Sequence, residues 1–102
     1  MYRRACYQNL SETEIFERIM AEGFTPLAVN DPPGGYYPPH QHPESELLAI
    51  LKGGMEVLVA DQTYHCRAGD RLFIPGDVEH TALVHADGCT YFWAERHPEA
   101  DD

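Results

Sequence analysis

Two histidines and a glutamate lie close together in the middle of the chain, at a spacing that suits one metal ion. His40 and His42 are two residues apart, and Glu46 follows four residues after the second histidine. Residues separated by an even number of positions project to the same face of a strand, and a short bend at Pro43 can still return the carboxylate to the two rings. Imidazole and carboxylate ligands suit zinc, manganese, iron, nickel or copper, whereas calcium and magnesium prefer oxygen alone.

A fourth candidate ligand, His80, follows a turn that contains Pro75, Gly76 and Asp77. A histidine on a strand is more often a hydrogen-bonded polar residue than a ligand, and six histidines in 102 residues can fall two apart by chance. The four residues together, with glycines at fixed intervals around them, favour metal binding over that simpler interpretation. Surface roles are predicted for the remaining histidines, which are His65, His85 and His97.

The first of these two stretches resembles the first sequence motif of the cupin superfamily. That motif is a glycine, two histidines separated by one residue, a glutamate and a second glycine, at fixed intervals. Every interval is matched here by Gly34, His40, His42, Glu46 and Gly53. The resemblance implies that His40, His42 and Glu46 are metal ligands.

The second stretch matches the second cupin motif less completely. Gly69, Pro75 and His80 fit, and the resemblance implies that His80 is the fourth metal ligand. Asp77 stands where the motif has glycine, but aspartate tolerates a left-handed turn better than most residues do. Val84 stands where the motif has an asparagine that is not a ligand, so metal binding is expected to survive. The resemblance covers roughly residues 34 to 84.

The chain is predicted to be all-β, because many short apolar runs are separated by glycine, proline and aspartate. The resemblance implies a cupin-type double-stranded β-barrel, or jelly roll. One short helix is predicted before it, at about residues 12 to 22, because Ser11 and Glu14 form a capping-box pattern ahead of apolar residues at helical spacing.

The length of 102 residues predicts a single domain spanning 1–102. Within it we expect an N-terminal helix and strand over residues 1–30, a metal-binding barrel over 31–96 and a mobile acidic tail over 97–102. The run from Leu47 to Leu51 is apolar at every position, so both faces of that strand must be covered. One face is expected to meet the barrel interior, and the other the N-terminal helix or a second subunit. The resemblance also implies a homodimer.

Asp87 and Gly88 predict a two-residue hairpin turn. In that register Tyr91 and Trp93 would share a face with His80 and line the same cavity as the metal. A three-residue loop would place Phe92 there instead. The alternative interpretation is that these aromatic residues only fill the barrel interior.

Acidic residues outnumber basic ones by 17 to 7, which gives a formal net charge of −10. Such a surface repels phosphate backbones and anionic membranes, so nucleic-acid and membrane partners are not expected. The sequence has no apolar run of transmembrane length, and its first residues lack the apolar stretch of a signal peptide. We therefore expect a cytoplasmic protein.

Three functions fit one divalent transition metal, whether Fe, Mn, Zn, Ni or Cu, held by four protein ligands. The favoured one is a metal-dependent enzyme of the oxygenase, isomerase or lyase type, acting on a small oxygenated or aromatic molecule, with metal-bound water or dioxygen carrying the chemistry. The second is a non-catalytic module that binds a carboxylate or sugar, or senses a metabolite. The third is a structural metal that only joins two sheets. Cupins include enzymes and binding proteins, so the resemblance does not choose among these functions.

Overall fold

A computed structural model describes residues 1–96 and contains one short helix and seven strands over that range. In chain order the elements are β1 (Tyr2–Arg3), α1 (Glu12–Ala21), β2 (Thr25–Asp31), β3 (Tyr36–His40), β4 (Ser45–Val59), β5 (Gln62–Arg67), β6 (Arg71–Ile74) and β7 (His80–Arg96). None of the helical segments described there combines the length and the apolar character needed to cross a bilayer. The predicted acidic tail, 97–102, lies outside the described residues, and the predicted division of the chain stays a prediction.

The two longest strands, β4 and β7, pair with each other in antiparallel fashion along nearly their whole length. The first part of β4 also pairs with β6, which β1 extends, and its second part pairs with β5. The first part of β7 pairs with β3, and its second part pairs with β2. The two long strands therefore pass from one sheet to the other. This antiparallel jelly roll with a short helix in front confirms the fold expected from the sequence.

A glycine pair lets β4 continue from one sheet into the other. The run from Leu47 to Leu51 is only the first part of this strand, which extends through Gly53 and Gly54. Gly53 has a φ of +70°, and a Cβ atom there would lie 2.0 Å from the carbonyl oxygen of Gly88. Only glycine permits both the positive φ and this close approach of β7.

The hairpin predicted at Asp87 and Gly88 is wrong. Val84, before that dipeptide, pairs with Met55 of β4, and Cys89, after it, pairs with Gly53 of the same strand. The residues between them are a bulge inside one continuous β7, and Gly88 supplies a φ of +77° there. Because β4 offers backbone partners to both halves of β7, the two halves do not pair with each other.

The apolar run in β4 faces two separate clusters of buried residues. Leu48 and Ile50 point into the barrel core, whereas Leu47 and Ala49 belong to a second cluster on the opposite face of the sheet. Helix α1 covers that second cluster and contributes Ile19, which is fully buried. The outer face of β4 is therefore covered within the chain and does not itself require a second subunit. The homodimer stays a prediction.

Helix α1 begins with the predicted capping box and ends at an ion pair with the sheet. The hydroxyl of Ser11 accepts from the backbone N–H of Glu14, and the Glu14 carboxylate accepts from the backbone N–H of Ser11, both at 3.1 Å. At the other end, the buried Arg71 of β6 donates to both carboxylate oxygens of Glu22 and to the hydroxyl of Tyr7. These contacts join the helix to the barrel.

Candidate metal site

The four candidate ligands come from the ends of three strands and from one loop. His40 is the last residue of β3 and pairs directly with His80, the first residue of β7. Glu46 is the second residue of β4. His42 lies in the connection between β3 and β4, so the expectation that one strand carries both motif histidines is wrong: β3 ends at His40. The prolines around this connection disfavour a continued ladder because proline has no N–H to donate.

The turn before His80 packs against the loop that carries His42. Asp77 has a φ of +63°, which confirms the left-handed turn expected there, and its N–H donates to the carbonyl of His42 at 2.7 Å. A Cβ atom on Gly76 would lie 2.2 Å from the carbonyl oxygen of Pro43. The two loops therefore fix each other, and with them the positions of His42 and His80.

Backbone carbonyl groups orient the three histidine rings. The Nδ1 atom of His42 lies 2.9 Å from the carbonyl oxygen of Glu44, and that of His80 lies 2.9 Å from the carbonyl oxygen of Val78. His40 makes the same kind of contact, at 2.7 Å, with Pro38, beside the register shift in β3. A carbonyl oxygen only accepts, so each Nδ1 carries the proton and each Nε2 keeps its lone pair. Hydrogen bonds of this kind typically orient metal-binding histidines.

The three histidine rings converge, and the glutamate approaches two of them. One ring nitrogen from each of His40, His42 and His80 lies within 4.8 Å of the others. The Oε1 atom of Glu46 lies 3.0 Å from Nε2 of His42 and 3.6 Å from Nε2 of His80. His80 is only 3% exposed, and its Nε2 has no hydrogen-bond partner among residues 1–96. A buried lone pair left without a donor, beside a carboxylate, fits the requirements of a bound cation.

The electrostatics of the pair Glu46 and His80 favour a charged site. Burial alone would raise the pKa of Glu46, but its interactions with His80 and His42 lower that pKa below the ordinary value. The Glu46 carboxylate in turn raises the pKa of His80 against the opposing effect of burial. The glutamate is therefore ionised at neutral pH and available as an anionic ligand.

A cavity of about 290 Å³ opens next to these residues. Tyr91 and Trp93 both line it, although the hairpin from which that placement was predicted does not exist. They face inward because they pair directly with Ile50 and Leu48, whose side chains point into the barrel. Phe92, the alternative, belongs to the cluster under α1. The apolar wall also includes Val29, Met55, Val57, Ile74 and Ala82.

Two tyrosines on the cavity wall share one carboxylate oxygen. The hydroxyls of Tyr37 and Tyr91 each donate to Oδ2 of Asp31, at 2.7 Å in both cases. Burial, with the hydrogen bonds from these neighbours, raises the pKa of Tyr91, so its hydroxyl stays protonated at neutral pH. Sequence reasoning missed Asp31 and Tyr37, because Asp31 meets Tyr91 only through the long-range pairing of β2 with β7, and no local motif signals it.

Two further carboxylates, also missed, lie at the rim of the site. Glu44 Oε1 and Glu95 Oε2 lie 3.8 Å and 3.9 Å from Nδ1 of His42. Burial raises the pKa of Glu95, and His42 opposes that effect. These side chains add negative charge beside His42, which offsets the positive charge expected from a divalent ion and one carboxylate.

A jelly roll with this convergence of histidines and glutamate defines a cupin, and the comparisons agree. Residues 27–102 match the family model described as the AraC-like ligand binding domain, and the chain belongs to that family. Dimethylsulfoniopropionate lyase DddW of Ruegeria pomeroyi is 30% identical over 82 residues, which are 80% of this chain and 51% of DddW. The chain thus spans about half the length of this curated relative.

Two solved structures show the same fold at low sequence identity. The cupin domain of Cnp3 from Schizosaccharomyces pombe superposes with a TM-score of 0.67 at 16% identity, over 76% of this chain and 66% of that one. Oxalate decarboxylase of Bacillus subtilis, whose Mn(II) centres were studied, gives a TM-score of 0.65 at 18% identity, over 70% of this chain and 20% of that one. Known relatives of this fold therefore include metal-dependent enzymes.

Proposed function

We propose that the chain binds one divalent transition metal through His40, His42, Glu46 and His80 and uses it in a reaction on a small molecule held in the adjoining cavity. The observation that carries this proposal is the buried Nε2 of His80, which faces the ionised Glu46 and has no hydrogen-bond partner in the described part of the chain. The donor set of imidazoles and one carboxylate suits iron, manganese, zinc, nickel or copper.

The surroundings of the site indicate the kind of molecule that fits. Four protein ligands leave up to two positions free on an octahedral ion, which suits an oxygen donor such as a carboxylate. The rest of the ligand would meet the rings of Tyr91 and Trp93 and the carboxylate of Glu95, which also line the cavity. Negative charge and aromatic faces favour a neutral or cationic group over a second anion. We therefore propose a small acid whose other end is neutral or positively charged.

The reaction we favour is a lyase-type elimination, and the relative DddW supports it. The substrate in that enzyme's name carries a carboxylate at one end and a sulfonium cation at the other, which is the charge pattern proposed here. In an elimination, a base accepts a proton from the carbon beside the carboxylate, and the electrons of that C–H bond form a carbon–carbon double bond. The leaving group departs from the next carbon with the electrons of the bond that held it. A bound divalent ion would supply Lewis-acid stabilisation of the carboxylate as charge builds up on it.

The residues of the chain would position the substrate and exclude water. The apolar wall, from β4 and β7 among other strands, lowers the local dielectric and strengthens the interactions of the charged groups. Asp31 holds Tyr37 and Tyr91 in fixed orientations, so the shape of the cavity is largely set before a ligand enters. Preorganisation of this kind reduces the cost of orienting the reacting molecule.

A second candidate function is a non-catalytic module that binds a small molecule. The match to the AraC-like ligand binding domain favours it, since that family is described by ligand binding and not by a reaction. In this case the same ion would anchor the ligand's carboxylate, and the ligand would be released unchanged. Both candidates use the same cavity, so only turnover separates them.

The test is to follow small acids by proton NMR after adding protein loaded with iron, manganese or zinc. Dimethylsulfoniopropionate and related zwitterionic acids are the first probes. The enzyme is supported if the loaded protein consumes the substrate signal. The Glu46→Gln variant should not consume it, and the exposed-helix control Glu17→Gln should consume it as the unaltered chain does. Saturable binding of the same acids without loss of signal would support the binding module. A metal that only raises the melting temperature, with neither binding nor turnover, would contradict both.

A further inference from the structure

A second group of metal-ligating side chains lies on the outer face of the sheet. Glu56, His65 and His85 each offer one ligand atom, and these atoms all lie within 4.8 Å of one another. The Nδ1 atom of His65 is 3.9 Å from Oε2 of Glu56. Both neighbours of Glu56 in the chain, Met55 and Val57, line the inner cavity, so Glu56 points away from it. The group is therefore separate from the inner site.

Strand pairing brings the three residues together. Glu56 lies directly opposite His65 in the ladder of β4 and β5, so their side chains share the outer face. On its other side Glu56 lies opposite Leu83 of β7, an exposed residue two positions before His85. The outer group thus draws one residue from each of three neighbouring strands, with β4 in the centre.

Glycine at position 54 makes room for the third side chain. A Cβ atom on Gly54 would lie 2.9 Å from Nδ1 of His85 and 2.7 Å from the carbonyl oxygen of Cys66. The imidazole of His85 therefore lies directly over the backbone of β4, where a side chain would displace it. The bulge in β7 that begins after Val84 allows this ring to reach across toward Glu56 and His65.

We propose that Glu56, His65 and His85 form a second transition-metal site. Two imidazoles and one carboxylate are ligands that zinc and copper accept, and three protein ligands leave at least one position for water. The side chain of His65 is 61% exposed and that of Glu56 45% exposed, so the ion exchanges readily with solvent. The net charge of −10 raises the local concentration of cations around such a surface.

The test measures zinc binding by calorimetry on the purified 102-residue chain. We expect about two zinc ions per chain, because inner and outer ligand sets are both of a kind that binds zinc. His65→Ala and His85→Ala should each remove the weaker ion and leave the tighter one, whereas His80→Ala should have the opposite effect. Thr63→Ala, on the same strand as His65, is the matched control and should bind as the unaltered chain does.

Two results would overturn the proposal. One is a single zinc ion in the unaltered chain, and the other is a second ion that survives in both His65→Ala and His85→Ala. Because His65 is exposed, its replacement should leave folding intact, and a melting curve in the presence of chelator checks this. Copper titrations read by electron paramagnetic resonance give an independent measurement in a chain whose inner site is removed by His40→Ala, His42→Ala and His80→Ala. Nitrogen coupling from two imidazoles should there fall to one when either His65→Ala or His85→Ala is added.

Discussion

The Nε2 atom of His42 lies 3.0 Å from Oε1 of Glu46, while Nδ1 of the same ring lies 2.9 Å from the carbonyl oxygen of Glu44. Because Nδ1 must donate to that carbonyl, a neutral ring presents a lone pair to an ionised carboxylate. Two such acceptors remain this close only when a cation lies between them. A metal ion bound between the two atoms would supply that cation.

Metal binding at the inner site should stabilise the fold. An ion at about a hundred times its dissociation constant adds about 2.7 kcal/mol to the free energy of unfolding, because it binds the folded chain only. Calorimetric melting of a His65→Ala chain, in which only the inner site remains, should show this gain. The gain in the free energy of unfolding should vanish when His80→Ala is added. An equal gain in the double variant would contradict the assignment of His80 as a metal ligand.

Gly76 should be essential to the geometry of the site, and Asp77 should not. Gly76→Ala would push a methyl group against the carbonyl of Pro43, which we expect to cost about 1–3 kcal/mol by overpacking and to weaken metal binding. Asp77→Gly keeps both the positive φ and the N–H that donates to His42, so metal affinity should be unchanged. Metal titrations should show a weaker affinity for Gly76→Ala than for Asp77→Gly, and equal affinities of the two variants would refute the prediction.

The ion pair between Glu22 and Arg71 should make stability depend on pH in the acid range. Hydrogen bonds from Arg71 lower the pKa of Glu22, so the pair contributes fully above the unfolded-state pKa of about 4.3 and loses its contribution as the pH falls through the folded-state value. Glu22→Gln should cost about 1–2 kcal/mol at pH 7, since Glu22 is partly exposed while Arg71 is buried.

Urea unfolding of the Glu22→Gln variant at several pH values tests this prediction. The difference from the unaltered chain should shrink below about pH 4, where the carboxylate becomes protonated in both states. Glu17→Gln, on the exposed side of α1, should show no such difference at any pH. A difference for Glu22→Gln that stays constant down to pH 2 would contradict the ion-pair explanation.

Trp93 is the only tryptophan of the chain and should report on the inner cavity. Copper bound at the inner site should quench its fluorescence, because the ring lines the same cavity as the candidate ligands. In a His65→Ala background, which removes the outer group, the quenching should persist. If the quenching persists after His42→Ala and His80→Ala are also introduced, the ion binds elsewhere.

The sequence predicted which side chains meet at the inner site because the relevant information is local. His40, His42 and Glu46 fall within seven residues, and the left-handed turn at Asp77 precedes His80 by three. The capping box of Ser11 was equally local and is confirmed. Motif spacing records such short-range geometry directly, whereas the jelly roll was expected from the resemblance to the cupin motifs.

Long-range pairing could not be predicted in the same way. Asp87 and Gly88 are a strong hairpin signal, yet β4 binds both flanking segments, and the dipeptide lies in a bulge. The contact of Tyr91 with Asp31, and the approach of Glu95 to His42, also depend on which strands become neighbours. The charge pattern that we propose for the ligand therefore rests on contacts that only the structure shows.

Metal binding by His40, His42, Glu46 and His80 is tested most directly by elemental analysis. The gently purified His65→Ala chain is compared with the same chain carrying also His40→Ala and Glu46→Ala. We predict about one transition-metal ion per chain in the first protein, as expected for one site with four protein ligands, and none in the second. Equal metal content in the two proteins, or no metal in either after reconstitution, would contradict it.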